Sequence, residues 1–133
     1  MDKSKSKKDL LAEEWFKKAT DDELTVKSVL KHRDGAPNSV CFMSHQMAEK
    51  YLKGYLVLTR KWYPKIHTLD KLTALCMKID PTFKELKEIV TFLDPFYTPA
   101  RYPSNGPDFS WDDAEKAYNA AEGIKEFVLE KIK

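Results

Sequence analysis

A chain of 133 residues, 42% of them hydrophobic, is long enough to bury most of its surface in one core, so we expect a single domain. Its formal net charge of +2 is too small for the electrostatic field of the whole molecule to bind nucleic acid. Any nucleic acid site must therefore be local. No apolar run is long enough to span a bilayer and no signal peptide is seen, so we expect no membrane contact and a cytoplasmic location.

The first eight residues hold four lysines among serines. A short charged terminus of this kind is typically solvated and poorly ordered. We therefore predict a flexible basic N-terminus over residues 1–8, followed by one helical domain over residues 9–133. The alternative role of the basic cluster is an arm that contacts RNA.

Apolar residues recur at helical spacing from residue 9 to about residue 31, interleaved with Lys and Glu. This amphipathic pattern predicts a first helix. Thr20 followed by Glu23 has the spacing of a capping box, which would start a new helix there. The apolar stripe runs through this point unbroken, so we predict one continuous helix. The stripe holds Trp15, Ala19, Val26 and Leu30.

Residues 33–37 have the turn chemistry that ends a helix, and Asn38 or Ser39 is the predicted N-cap of a second one. The second helix runs to about Arg60. Its dense apolar side predicts the central helix of the core. That side consists of Cys41, Ala48, Tyr51, Leu52, Tyr55 and Leu56. Pro64 ends the pattern, because proline pushes the residue before it out of helical geometry.

Two shorter helices are predicted next. Thr68 and Asp70 begin the first of them, which carries Leu69, Leu72, Leu75 and Cys76. Asp80 is the predicted cap of the other, with Pro81 in the first turn, where a missing N–H costs little. Its apolar residues end near Asp94, and they are Phe83, Leu86, Ile89, Val90 and Leu93.

Residues 95–107 hold four of the seven prolines and several aromatic residues, which predicts a long irregular connection with a functional or packing role. Ser110 with Asp113 opens the last helix. Its apolar stripe is Ala114, Ala117, Ala121, Ile124, Val128 and Ile132. Because no segment alternates like a strand, we predict an all-α fold, an antiparallel up-and-down bundle of four to five helices.

The two cysteines, Cys41 and Cys76, lie in helical patterns and lack the spacing of a zinc site. They are predicted to be two buried thiols. The sequence therefore predicts no metal site and no cofactor.

Three separated segments carry a family resemblance. They are Ser-His-Gln-Met-Ala-Glu-Lys-Tyr-Leu-Lys at 44–53, Lys-Ile-His-Thr-Leu-Asp-Lys-Leu at 65–72 and Ala-Arg-Tyr-Pro at 100–103. In this order and spacing the chain resembles HEPN domains, the helical module of higher eukaryotes and prokaryotes linked to nucleotide binding and, in some branches, to RNA cleavage. The resemblance implies a homodimer, a minimal nucleotidyltransferase partner and a nucleotide or RNA ligand.

The HEPN family that the chain resembles includes ribonucleases, which share a motif at the start of the last long helix. The motif is an arginine followed four to six residues later by a histidine. Arg101 is near the place of that arginine, but none of residues 102–108 is histidine. We therefore predict no catalytic residue and a non-catalytic protein. The pair Arg60 and His67 has the right separation but flanks the turn after the second helix, which is the wrong place in the family layout.

Two alternatives stay open. One is a ribonuclease toxin with a degenerate site, in which Arg101 acts with Asp108 or with a histidine from elsewhere in the fold. The other is a helical scaffold that binds partners without a small ligand.

Arg101 is the leading candidate for a ligand contact, because its planar fork of donors recognises phosphate bidentately. Tyr97 or Tyr102 could stack on a base or ribose beside it, and the structural alternative, which the sequence favours, is that they pack the loop. Lys50 and Lys53 on the second helix add positive charge if their side meets the loop. The structural alternative for Arg101 is a salt bridge that pins the loop to the bundle.

Two histidines have predicted roles as well. His67 is a candidate ligand contact, and its structural alternative is a hydrogen bond with free backbone N–H groups or a loop carbonyl near a helix start. His45 is predicted to be a partly buried polar residue at a helix or subunit contact.

Overall fold

Five α-helices and two short 3₁₀ helices, with no strand, form the part of the chain that the computed structural model describes. The described residues are 6–97 and 108–133, without the side chains of Lys8 and Leu10. The α-helices are α1 (Lys7–His32), α2 (Pro37–Arg60), α3 (Leu69–Ile79), α4 (Lys87–Leu93) and α5 (Trp111–Lys131). The 3₁₀ helices are Pro81–Leu86 and Asp94–Phe96. The predicted all-α bundle is confirmed.

α2 is the centre of the bundle and packs against α1, α3 and α5. Its apolar stripe is buried along nearly its full length, as its dense apolar pattern predicts. α4 closes the core against α3 and α5. None of the helices within residues 6–97 and 108–133 has the length and apolarity that a membrane span requires.

Local signals set several helix ends as predicted. α1 is continuous through Thr20, whose hydroxyl donates to the carbonyl of Phe16 at 3.0 Å instead of capping a new helix. Ser110 and Asp113 form a reciprocal capping box at the start of α5. Asp80 accepts a hydrogen bond from the backbone N–H of Thr82 at 3.0 Å, as an N-cap does.

Three boundaries differ from the predictions. α1 begins at Lys7, two residues earlier than predicted, with Ser6 as its N-cap. α2 begins at Pro37 after Ala36, and neither Asn38 nor Ser39 caps it. The Asn38 side chain instead accepts from the backbone N–H of Phe109 at 2.9 Å and donates to Asp108 at 3.3 Å, so it fixes the approach to α5. After Asp80 the chain forms a 3₁₀ helix, and α-helical geometry begins only at Lys87.

A buried carboxylate joins α1 to α5. Glu23 accepts hydrogen bonds from the Tyr118 hydroxyl at 2.7 Å and from Lys125 Nζ at 2.8 Å. Burial alone would raise the pKa of Glu23, but these two hydrogen bonds outweigh it and lower the pKa. Both cysteines are buried thiols, as predicted, and burial raises the pKa of Cys41 and of Cys76 to about 12.

Candidate functional site

A polar cluster lies against α2 inside the bundle. We call it the Glu49 cluster, and it consists of His45, Glu49, Lys53, His67 and Asp94. The first three are four residues apart on α2, so they share one side of the helix. All three are buried, whereas His67 precedes α3 and Asp94 follows α4. Residues from three parts of the sequence thus meet at one point.

Glu49 is the hub of the cluster. One oxygen, Oε2, accepts a hydrogen bond from Lys53 Nζ at 2.8 Å and another from His67 Nδ1 at 2.9 Å. The other oxygen, Oε1, is buried and has no hydrogen-bond partner among the described residues, and the same holds for His45 Nδ1, 4.0 Å away. A buried carboxylate needs a paired cation, and Lys53 supplies it.

Asp94 ties His45 to the start of α3. Its Oδ1 lies 2.9 Å from His45 Nε2 and accepts from the backbone N–H of Leu69 at 2.8 Å, while its Oδ2 accepts from Asp70 N–H at 3.0 Å. Asp94 therefore caps α3, and the Thr68 side chain makes no capping hydrogen bond. Burial would raise the pKa of Asp94, but the hydrogen bonds from His45 and the two amides outweigh it and lower the pKa.

The lowered pKa of Asp94 predicts a loss of stability in acid. A carboxyl group whose pKa is lower in the folded state stabilises the protein above its unfolded pKa of about 4. That contribution disappears as the pH falls through the folded pKa. We expect the wild type to lose more free energy of unfolding between pH 7 and pH 3 than Asp94→Asn, measured by urea denaturation. At pH 7 the variant should be about 1–2 kcal/mol less stable, because a helix cap and a charged hydrogen bond are weakened.

Glu23 titrates in both proteins, so the difference between the two pH profiles isolates Asp94. Equal losses in the wild type and Asp94→Asn would show that the Asp94 carboxylate has no special environment.

Aromatic rings cover the outer side of the cluster. The Tyr97 ring lies parallel to the His67 ring, with an interplanar angle of 8° and centroids 5.7 Å apart. It also contacts the rings of His45, at 5.1 Å, and Phe42, at 5.7 Å. The His67 side chain is 55% exposed. Its Nδ1 is hydrogen-bonded to Glu49, whereas its Nε2 makes no hydrogen bond within residues 6–97 and 108–133.

The histidine alternatives need correction on two points. His67 bonds neither backbone N–H groups nor a loop carbonyl in the described part of the chain, because the Glu49 carboxylate takes its Nδ1. His45 is fully buried, with 0% of its side chain exposed, and its partner is Asp94. It is a core residue of the cluster and not a partly buried contact.

The two lysines lie in different surroundings. Lys50 pairs with Asp22 of α1, with 2.6 Å between Nζ and Oδ2. Lys53 is 4% exposed, and its Nζ lies 5.6 Å from the Trp15 ring and 5.8 Å from the Tyr63 ring. The charge of each lysine is thus balanced within the bundle.

The loop predictions fall largely outside the described residues. Arg101 and Tyr102 lie outside those residues, so the alternative salt bridge that would pin the loop to the bundle through Arg101 lies outside them as well. Tyr97 is described, and the chain passes from it towards Arg101 four residues later. Of the residues predicted to bind a ligand, the structure brings His67, Tyr97 and Lys53 together around Glu49.

Sequence analysis missed the pairing of His45 with Asp94. These residues are 49 positions apart, and no local pattern joins them. A detectable signal was the spacing of His45, Glu49 and Lys53, three polar residues four apart on α2. Within the described ranges, no group of three His, Cys, Asp or Glu residues could hold a metal ion. The cluster instead offers an imidazole oriented by a carboxylate, with one nitrogen open to a ligand.

Comparisons with known proteins agree with this architecture. The family model of the HEPN domain matches residues 12–132. No curated protein matches the chain. Two solved structures are similar along nearly their whole length. TT1696 from Thermus thermophilus is 29% identical, with a TM-score of 0.75, and the match covers 90% of this chain and 97% of that one. ST0689, an archaeal HEPN homologue, is 29% identical, with a TM-score of 0.70, and the match covers 92% and 98%.

Proposed function

The chain belongs to the HEPN domain family, and on that premise we propose that it binds a nucleotide or a similar phosphate-bearing ligand without cleaving it. The ligand contacts are His67 and Tyr97, with Arg101 and Tyr102 from the following segment. The observation that carries the proposal is the exposed His67 ring, which Glu49 and Tyr97 hold in one orientation.

This arrangement favours ligand binding in two ways. The His67 ring needs no reorganisation on binding, since one nitrogen is hydrogen-bonded and one face is covered. Its Nε2 is a hydrogen-bond partner for a ribose hydroxyl, or for phosphate when the ring is protonated. Arg101 adds a bidentate donor for phosphate, which a neutral imidazole cannot supply. In this proposal Lys53 holds Glu49, whereas Lys50, whose charge Asp22 balances, is not a ligand contact.

The proposal includes protein partners. Family resemblance supports a homodimer and a partnership with a minimal nucleotidyltransferase encoded beside this chain. A partner that transfers nucleotides would supply a ligand of the chemistry that His67 and Arg101 recognise. Co-elution of the two proteins on size exclusion chromatography would support the partnership, and separate elution at micromolar concentrations would contradict it.

Thermal unfolding with ATP, GTP and a short RNA tests ligand binding. A ligand that binds only the folded state raises its stability by about 2.7 kcal/mol at a concentration one hundred times Kd. We expect the wild type to be stabilised, and the effect to be strongly reduced in Arg101→Ala and in His67→Ala. Higher salt should reduce it further, because phosphate contacts are electrostatic.

The matched control is His32→Ala, which removes an exposed histidine from the last turn of α1. It should respond to ligand like the wild type. If no ligand shifts the wild type, the nucleotide proposal fails and a scaffold that binds protein partners becomes the better account.

The Glu49–His67 pair favours a second candidate function, that of a ribonuclease. Its histidine would be His67, which lies outside the arginine-to-histidine motif of the family's ribonucleases. In such a reaction His67 Nε2 would accept the proton of a 2′-hydroxyl, whose oxygen attacks the adjacent phosphorus. The bond from phosphorus to the 5′-oxygen breaks, and that oxygen takes a proton from water. The products are a 2′,3′-cyclic phosphate and a 5′-hydroxyl.

Mass spectrometry of RNA incubated with the protein separates the two candidates. Cyclic phosphate products that form with the wild type and His32→Ala, but not with His67→Ala, would favour cleavage. Intact RNA with all three proteins would exclude it and leave binding as the function.

A further inference from the structure

A groove between α3 and α4 is distinct from the Glu49 cluster. Its volume is about 310 Å³, near the lower end of the roughly 300–1,000 Å³ that is typical of small-molecule sites. Met77 and Val90 provide apolar walls, and Thr73 adds a hydroxyl-bearing side chain. Lys78 and Lys87 lie at its exposed rim. Apolar walls with a few polar groups are the usual composition of a ligand pocket.

Thr73 is the unusual residue of this lining. It is 3% exposed, and its Oγ1 is buried without a hydrogen-bond partner in the described part of the chain. Two other helical threonines donate to the carbonyl four residues earlier, Thr20 at 3.0 Å and Thr59 at 2.8 Å. Buried hydroxyls are rarely left unpaired, because the lost hydrogen bond to water is not replaced. Oγ1 has almost no accessible surface as the structure stands, so a ligand's acceptor oxygen would complete it after a turn of the Thr73 side chain between the two χ1 rotamers that threonine has in a helix.

The charges around the groove favour an anion. Lys78 projects from α3 and Lys87 from α4, and neither forms an ion pair with any residue of 6–97 or 108–133. Among the described residues, Asp70 is the only acidic one of the lining. Two lysines against one aspartate leave a formal charge of +1 on the described walls. A ligand with a single negative charge would balance it.

We propose that this groove binds a small organic anion with a short apolar chain. One oxygen of its anionic group accepts a hydrogen bond from Thr73, and Lys78 and Lys87 balance its charge. The apolar chain lies on Met77 and Val90. The site does not depend on His67 or Arg101, so it is separate from the nucleotide site proposed above.

Three probes separate the parts of this proposal, titrated into ¹⁵N-labelled full-length protein and followed by NMR. Hexanoate has the charge and the chain, 1-hexanol has the chain with a neutral hydroxyl, and inorganic phosphate has the charge alone. We expect hexanoate to shift the amide signals of residues 73–78 and 87–90 at lower concentration than either other probe. Lys87→Gln should weaken hexanoate binding about threefold, as expected for an exposed charge pair.

Thr73→Val tests the hydroxyl directly. We expect it to weaken hexanoate binding about threefold or more and 1-hexanol binding less, because a neutral hydroxyl oxygen is a weaker acceptor than a carboxylate oxygen. Its melting temperature should equal or exceed that of the wild type, because the substitution removes a buried hydroxyl without a partner. The matched control is Lys84→Gln, an exposed lysine on the 3₁₀ helix Pro81–Leu86 that does not line the groove.

Several results would overturn the proposal. Hexanoate and 1-hexanol could bind equally well, or hexanoate could shift signals spread over the whole surface. Thr73→Val could bind hexanoate as tightly as the wild type, or lose stability on its own, which would mean that the hydroxyl serves the fold. His67→Ala should bind hexanoate like the wild type, so failure of the nucleotide proposal leaves this test intact.

Discussion

Glu49→Gln is expected to lower the free energy of unfolding by about 3–5 kcal/mol, the cost of removing one partner from a buried ion pair. The variant keeps the shape of the side chain but removes its charge. Lys53, only 4% exposed, is then left as a buried ammonium group without its carboxylate. His67 loses the charged acceptor of its Nδ1 as well. Urea denaturation at pH 7 measures the loss.

Two controls identify the cause. The double variant Glu49→Gln with Lys53→Met should recover most of the lost stability, because no uncompensated charge stays buried. Asp21→Asn breaks another pair with the same spacing of four residues, but Lys17 and Asp21 are 76% and 56% exposed. That variant should cost less than about 0.5 kcal/mol. A small loss in Glu49→Gln, with no recovery in the double variant, would show that Lys53 reaches water easily.

Local patterns predicted most of the fold. Apolar stripes located the long helices, because the apolar residues of each segment recur with the helical period of 3.6 residues. Residues that are neighbours in sequence also set the capping box of Ser110 and Asp113 and the cap at Asp80. The 3₁₀ geometry after Asp80 was not predicted, because α and 3₁₀ turns share the same residue preferences over a few positions.

The candidate site was less predictable, because its contacts join distant segments. His67 meets Glu49 across 18 positions, and Asp94 reaches back to cap α3 across 25. Thr68 has the right residue type and the right position to cap α3, but its side chain makes no capping hydrogen bond. Tertiary packing instead brings a carboxylate to the same amides, and a charged acceptor binds them more strongly than a hydroxyl.

The role of Lys53 shows the same limit. A lysine on a helix is expected to face solvent, and its charge made it a candidate for phosphate. Its spacing of four from Glu49 is the usual spacing of a surface pair as well. Only the packing of Trp15 and Tyr63 over this side of α2 shows that the pair is buried. Lys53 therefore holds Glu49, which in turn is hydrogen-bonded to His67.

The contact between α1 and α2 leads to the second large effect, at Gly54. A Cβ atom added at Gly54 would lie 2.9 Å from Cδ1 and Cζ of Phe16 and closer still to Cε1. The Phe16 ring is stacked on Tyr51, with centroids 5.8 Å apart, so it cannot move away without losing that contact. Overpacking of this kind costs about 1–3 kcal/mol, more than alanine gains over glycine in a helix. We expect Gly54→Ala to lower the free energy of unfolding by about 1–2 kcal/mol.

Gly123→Ala is the matched control, because Gly123 also lies inside a long helix. An added Cβ there would lie 3.4 Å from Cδ1 of Ile89, an ordinary contact. The gain in helix propensity should therefore prevail, and stability should rise by about 0.5–1 kcal/mol. Urea denaturation of both variants measures the two opposite shifts. A rise in both would mean that Phe16 repacks freely, and that the close approach of α1 to α2 does not depend on a missing side chain at Gly54.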